Sequence, residues 1–292
     1  MKKILFFLKA DAGKGLTEDV ETGIREKSKE YRYHYRIFHI PEKPDTEKIR
    51  QALENFKPSV AVAAGGDGTV NLIARNISDS DISLGIIPLG SSNALAYQLG
   101  IPENAEDAIG LIARGKGKKT DALIINGSYL CMHMCDLGMN ARIIKRREDE
   151  NQGGFFGYVK QYFRELGYKH NFRYTIKTED KQISSKAVMI VMANSPYYGT
   201  GASIAPEGRP DDGWFELVIV KAYAFWFLFY MLITIFFKNY RNKTFRTVIK
   251  TRKAHITVSP PQEMQIDGEP LGIKEKVQAE IRSAYITIIC NE

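Results

Sequence analysis

The sequence predicts an α/β domain built on a parallel sheet, followed by a mainly β domain, and three patterns carry that expectation. Over residues 2–121, short apolar runs alternate with longer amphipathic stretches, the order that covers both faces of a parallel sheet with helices. After Asp121 the texture changes to strand-length runs of apolar and alternating character. Three glycine turns in the first region each lie between an apolar run and a helical pattern, at the carboxyl ends of strands where open α/β folds bind ligands. No low-complexity linker or internal repeat intervenes, so the domains are expected at 1–121 and 122–292.

The first apolar run, 4–8, is too short for a secretion signal and lacks a small-residue cleavage site, so it reads as a strand. A charged helix over 16–31, a strand at 36–40, a helix over 45–56 and a strand at 59–64 follow. Next come a helix over 70–77, a strand at 84–88 and helices over 92–99 and 105–114. In the second region, strands are expected within 122–127, 128–138, 172–178, 185–193, 214–220, 253–258 and 284–290, interrupted by helices.

The 292 residues, 44% hydrophobic and 26% charged, can bury a sizeable core and exclude a disordered or fibrous chain. A formal net charge of +7 favours an anionic partner, whether nucleotide, nucleic acid or membrane surface, without choosing among them. Three cysteines, Cys131, Cys135 and Cys290, do not make a disulfide framework and suggest a reducing compartment, with the cytoplasm as the expected location.

The strongest local signal is Gly65-Gly66-Asp67-Gly68-Thr69, directly after a strand and opening a helix. Glycines there let the backbone approach a ligand closely, and the helix N-terminus behind them suits phosphate. Asp67 either faces a metal bound to those phosphates or caps the helix. The spacing matches neither a Walker loop nor a GxGxxG fingerprint. A second turn, Asp11-Ala12-Gly13-Lys14-Gly15, offers Lys14 as a phosphate counterion, and a third is Gly90-Ser91-Ser92-Asn93. Cys131, His133 and Cys135 would share one face of an extended strand, but i, i+2, i+4 ligands spread over about 13 Å, so a packed core strand is expected rather than a zinc site.

The ordered set of these motifs resembles the diacylglycerol kinase catalytic-domain family, which also contains sphingosine and ceramide kinases and bacterial soluble lipid kinases. The resemblance rests on 11–15, 65–71, 84–93 with 99–102, the 205–220 segment carrying Asp211-Asp212-Gly213, and Gln265-Ile266-Asp267-Gly268-Glu269-Pro270. It implies an NAD kinase-like α/β domain and a sandwich-like β domain with ATP in the cleft between them. By the same resemblance, Gly65, Gly66, Asp67, Gly68, Thr69, Val70, Asn71 and Ser91 would contact ATP, with Mg2+ required for transfer. A structural magnesium would be held by the Asp212 carboxylate and the carbonyls of Arg209 and Trp214, with Asp121 in a linked acidic network. The base would be Asp267 or Glu269 as in the bacterial branch, or Asp67 as in the sphingosine-kinase branch.

Lys9-Ala10, Leu72 and Ala94 depart from the family pattern. These departures leave a non-catalytic regulator that binds lipid or nucleotide as an alternative to a lipid kinase acting on diacylglycerol or a sphingoid base, and the 65–69 turn, shared with NAD kinases, leaves a soluble-metabolite kinase as another.

The uncharged run 222–237 is just short of the roughly 18–20 residues that cross a bilayer. It is followed by Lys238, Arg241, Lys243, Arg246, Lys250, Arg252 and Lys253. Apolar insertion beside a basic flank predicts a peripheral membrane contact through 222–253, with a helix buried between the domains as the other reading. The partner is then a lipid rather than nucleic acid, and the oligomeric state is open, a homodimer included. A helix near 157–166 carrying Tyr158, Tyr162 and Phe163 is expected to pack against the core, with the lining of an acyl pocket as the other reading.

Overall fold

A computed structural model describes residues 1–9, 14–78, 80–90, 92–150, 157, 160, 161, 164, 171–198, 202–221 and 246–291. The chain forms two compact units, 1–120 with 284–292, and 121–283. The last nine residues, read from sequence with the second domain, thus belong to the first unit.

The first unit contains β1 (Lys3–Lys9), α1 (Lys14–Tyr31), β2 (His34–Ile40), α2 (Thr46–Phe56), β3 (Val60–Gly65), α3 (Asp67–Ile77), β4 (Ser83–Pro88), α4 (Ala94–Gln98) and α5 (Ala105–Arg114). Its strands run parallel in the order β2-β1-β3-β4. The C-terminal return adds a further parallel neighbour through Ile288 opposite Leu84. Every residue of β3 is buried, as expected for a parallel strand covered on both faces. Side chains that compete for backbone donors set helix boundaries: Asp45 Oδ1 accepts from Glu47 N at 3.0 Å to start α2, and Asn104 Oδ1 accepts from Asp107 N at 3.1 Å to start α5.

The second unit begins within β5 (Gly117–Ile125) and continues through β6 (Tyr129–Cys131), β7 (Met134–Gly138), α6 (Met139–Asp149), β8 (Phe172–Thr178), β9 (Gln182–Ala187) and β10 (Met189–Ala193). After a short pair, β11 (Tyr197–Tyr198) and β12 (Ala202–Ser203), come β13 (Phe215–Val220), β14 (Arg246–Thr251), β15 (Lys253–Ile266) and β16 (Glu269–Ile289). Antiparallel pairing gives the order β14-β13-β10-β7-β15-β16, with β8 on β15 and β9 on β8.

Period-two alternation distributes the central strands between two cores. Cys135, Leu137, Ile190, Met192, Phe215 and Leu217 join one core, while Met134, Met189, Val191, Val218 and Val220 join another beside Met139 and Ile143 of α6. The strand expected over 128–138 is interrupted: β6 ends at Cys131, the chain bends at Met132 and His133, and β7 resumes at Met134. The cause is a carboxylate that draws the intervening N–H groups off the ladder, described below.

A carboxylate also lies in this apolar setting. Glu216 of β13 is 2% exposed, and neither carboxylate oxygen has a hydrogen-bond partner among the described residues. Burial pushes its pKa up to about 7, opposed by Lys250 and reinforced by Asp212. An acid whose folded pKa is raised weakens the fold as pH rises from its unfolded value, near 4.5, to about 7, and the whole penalty remains above that. Glu216→Gln removes a cost on the order of 3 kcal/mol. It should therefore melt above the parent at pH 8, with the difference vanishing near pH 4.5 in paired thermal scans; a variant that melts lower at pH 8 would contradict the burial account.

Candidate active site

In the first unit, β3 delivers Gly65 and Gly66 to the start of α3. A Cβ on Gly65 would lie 2.4 Å from Thr69 Oγ1, so the turn closes only over a hydrogen. Thr69 N and Val70 N donate to Gly66 O at 2.9 and 3.1 Å and begin the helix. The preceding amides have no partner inside the helix by construction, and the helix dipole makes this end electropositive.

The third glycine turn lies directly alongside. A Cβ on Gly90 would come within 2.5 Å of Gly66 Cα, so the backbones after β3 and β4 nearly touch. Asn93 fixes the second loop: its Oδ1 accepts from Gly90 N at 2.9 Å and its Nδ2 donates to Gly90 O at 2.7 Å. Asp67 Oδ1 lies 3.5 Å from Leu95 N at the start of α4, linking the same two turns. Gly66, Asp67 and Gly68 are partly exposed on this surface, whereas Thr69, Val70 and Asn71 are buried. Lys14 opens α1; Ser91 and residues 10–13 lie outside the described residues.

In the second unit, Asp267 and Gly268 form the two-residue turn between β15 and β16. Both have positive φ, 49° and 91°, the backbone of a type I′ hairpin, which Asp-Gly favours. The Asp267 carboxylate is committed to backbone. Oδ2 accepts from Met132 N at 2.7 Å, and Oδ1 accepts from His133 N and Met134 N, both at 2.9 Å. The Cys131 thiol adds a contact at 3.5 Å to Oδ1, and burial pushes that thiol well above its ordinary pKa, keeping it a donor. Asp267 N completes the clasp by donating to Met134 O at 2.9 Å. Glu269, one residue beyond the turn, is exposed.

A buried polar chain braces this turn from below. Gly268 N donates to Gln265 Oε1 at 2.7 Å; Gln265 Nε2 donates to Asp136 Oδ2, which also accepts from Asn140 Nδ2 at 2.7 Å. Asn194 Nδ2 donates to Met132 O at 3.1 Å and Asp121 O at 2.8 Å, joining the 132–134 bend to a second turn. Sequence reading missed Asp136, Asn140 and Asn194, and named Gln265 within its motif without the bracing role. The available signal was a polar residue inside an otherwise apolar strand-length run, which demands a buried partner.

That second turn is Asp211-Asp212-Gly213-Trp214. Asp121 Oδ2 accepts from Gly213 N at 2.6 Å, and Asp121 N donates to Pro210 O at 2.7 Å. Asp212 Oδ1 accepts from Trp214 N at 3.0 Å, while its Oδ2 meets Lys250 Nζ at 2.6 Å. The Arg252 guanidinium lies over the Trp214 ring, 4.4 Å from its centroid, and Arg209 pairs with Asp211 at 3.6 Å. The set expected for a structural magnesium, Arg209, Asp212 and Trp214, therefore does not fit a hard dication: its one carboxylate already carries an ammonium and a turn amide. Among the described residues no three His, Cys, Asp or Glu side chains are grouped to hold a metal.

Part of the basic flank is also built into the fold. The Arg246 guanidinium is buried against Ile204 O, Lys253 pairs with Glu280 at 3.6 Å, and Lys250 and Arg252 serve the turn just described. Residues 222–245, with the apolar run and Lys238, Arg241 and Lys243, lie outside the described residues, as do Tyr158, Tyr162 and Phe163.

Comparison with known proteins matches residues 3–125 to the diacylglycerol kinase catalytic domain and 134–290 to the YegS C-terminal NAD kinase beta sandwich-like domain. Proteins named "Probable lipid kinase YegS-like" from Yersinia pestis (strain Pestoides F) and Yersinia pseudotuberculosis serotype O:3 (strain YPIII) are each 26% identical over 260 residues, covering 85% of this chain and 86% of theirs. A crystal structure described as "a putative diacylglycerol kinase" from Bacillus anthracis str. Sterne superposes with a TM-score of 0.83 at 25% identity, over 99% of this chain and 98% of that one. With an α/β domain carrying paired glycine turns and a β sandwich-like domain carrying the Asp-Gly-Glu turn, the chain belongs to the diacylglycerol kinase catalytic-domain family, the family of the YegS-like lipid kinases.

Proposed function

We propose that this protein is a lipid kinase that transfers the γ-phosphate of MgATP to a lipid hydroxyl, with diacylglycerol or a sphingoid base as the acceptor class. The observation that carries the reading is the division of labour within the Asp-Gly-Glu turn: Asp267 is spent on three backbone amides, and Glu269 is exposed beside it. Glu269 is then the base and Asp267 its positioning residue. A lipid hydroxyl is a weak nucleophile, and a carboxylate that accepts its proton as the bond forms contributes roughly 10²- to 10⁴-fold. The acceptor oxygen bonds to the γ-phosphorus, the bond to the β,γ-bridging oxygen breaks, the proton moves to Glu269, and ADP departs.

ATP is assigned to the first unit, with its phosphates on the Gly66–Gly68 turn at the α3 N-terminus and Lys14 and Ser91 as further contacts. Magnesium accompanies ATP, as phosphoryl transfer requires charge neutralisation across the phosphates. Asp67, already tied toward Leu95 N, is assigned to the donor turn rather than to proton transfer. The apolar run 222–237 with Lys238, Arg241 and Lys243 is assigned to reversible membrane docking, which brings the enzyme to its acceptor. Among the described residues no helix is long and apolar enough to cross a membrane.

The decisive experiment incubates the protein with radiolabelled ATP, magnesium and mixed micelles of a total lipid extract supplemented with diacylglycerol and sphingosine. Label should enter the organic phase, and Glu269→Gln should lower it by about 10²-fold or more with ATP affinity retained. Label confined to water-soluble product would replace the proposal with a soluble-metabolite kinase; ATP binding without transfer to any acceptor would make the protein a regulator. Gly90→Ala drives a methyl into Gly66 Cα and should weaken ATP binding about tenfold or more by calorimetry; an affinity equal to the parent's would remove this turn from the ATP site. Replacing Phe229 and Phe236 by Ser should abolish pelleting with anionic liposomes; undiminished pelleting would remove 222–237 from the docking surface.

A further inference from the structure

The Asp211-Asp212-Gly213-Trp214 turn concentrates negative charge without a bound ion's worth of ligands. Asp121 closes it through backbone bonds, Asp212 folds one oxygen back onto Trp214 N, and Glu216 lies buried two residues on. What answers this charge is a side chain from the next strand. The β13–β14 register sets Lys250 opposite Glu216, and from there its ammonium reaches Asp212 Oδ2 at 2.6 Å. Two residues later Arg252 covers the Trp214 ring, so the β14 side of the turn is lined by cations.

A divalent ion on the Asp212 carboxylate would have to share Oδ2 with the Lys250 ammonium, or share Oδ1 with the Trp214 amide and still lie within a few ångströms of that ammonium. At such separations like charges repel by several kcal/mol even with substantial solvent screening. A tethered lysine does not dissociate, and one set by a strand register is held where the carboxylate needs it. We propose that Lys250 is the resident cation of the Asp212–Gly213 turn, occupying by a covalently attached ammonium the place of a structural dication, so that this turn forms independently of magnesium. Lys250 is then a positioning residue: it holds the turn that Asp121 and Asn194 connect to the 132–134 bend. The inference concerns stability and ion binding without nucleotide, and it stands or falls separately from the lipid kinase reading.

The test compares full-length protein, Lys250→Met, Lys250→Arg and the double variant Asp212→Asn, Lys250→Met, all without nucleotide. Melting is followed in chelator and in millimolar magnesium, with calorimetric titration of magnesium chloride in parallel. The parent should melt at the same temperature in both buffers and bind no stoichiometric magnesium. Lys250→Met should melt about one to three degrees lower in chelator, recover in magnesium and take up one equivalent, whereas Lys250→Arg should behave like the parent. If Lys250→Met does not fold, the double variant decides: with both charges removed it should fold and ignore magnesium. One equivalent of magnesium stabilising the parent, a Lys250→Met protein as stable as the parent and insensitive to the ion, or a double variant that needs magnesium would each overturn the proposal.

Discussion

Three successive backbone N–H groups, from Met132, His133 and Met134, converge on the single carboxylate of Asp267, and the second unit is organised around that convergence. A strand cannot aim consecutive amides at one point, because its donors alternate sides; the chain must bend to do so. The bend separates β6 from β7, and the carboxylate that causes it lies 133 to 135 positions away in sequence. In return, the bend pins the hairpin tip that carries Glu269. Charge-assisted bonds of this kind are stronger than neutral ones, and leaving three buried donors unanswered would be costly.

The same economy governs the rest of the turn region. Asn194 reads the carbonyls of Met132 and Asp121, Asp121 reads the amide of Gly213, and Gln265 reads that of Gly268. Side chains thus take the place of ladder partners wherever the backbone leaves regular structure. In the first unit the close approach of Gly66 and Gly90 is achieved by omitting side chains, with Asn93 and Asp67 as polar braces of the two turns.

These differences explain what could be read from sequence. β3, its glycine turn and α3 were legible because each signal is local: a buried apolar run, three glycines and a helical period. The hairpin at Asp267-Gly268 was legible because positive φ at two adjacent positions selects those residue types. The bend at 132–133 was not, since Cys131 to Cys135 is apolar enough to pass for one strand and the disrupting charge is remote in sequence. β14 was read as part of a membrane-facing basic flank because Arg246, Lys250 and Arg252 look solvated in isolation; only the register beside β13 shows that they meet Ile204 O, Asp212 and the Trp214 ring. Likewise, nothing local to the 214–220 run marks Glu216 as buried. α6 was hidden by its basic composition, although Arg142 and Lys145 are engaged with Gln262 and Glu263 of β15.

The central claim is that Asp267 organises the turn and Glu269 is left to act from it. Hydrogen–deuterium exchange at the amides of Met132, His133 and Met134 tests it most directly, because those donors report the clasp itself rather than turnover. Asn at position 267 keeps the left-handed turn propensity but places an amide donor against the Met132 N–H. The account predicts that exchange at all three amides accelerates sharply in Asp267→Asn and is unchanged in Glu269→Gln. Protection that survives in Asp267→Asn, or is lost in Glu269→Gln, would contradict it.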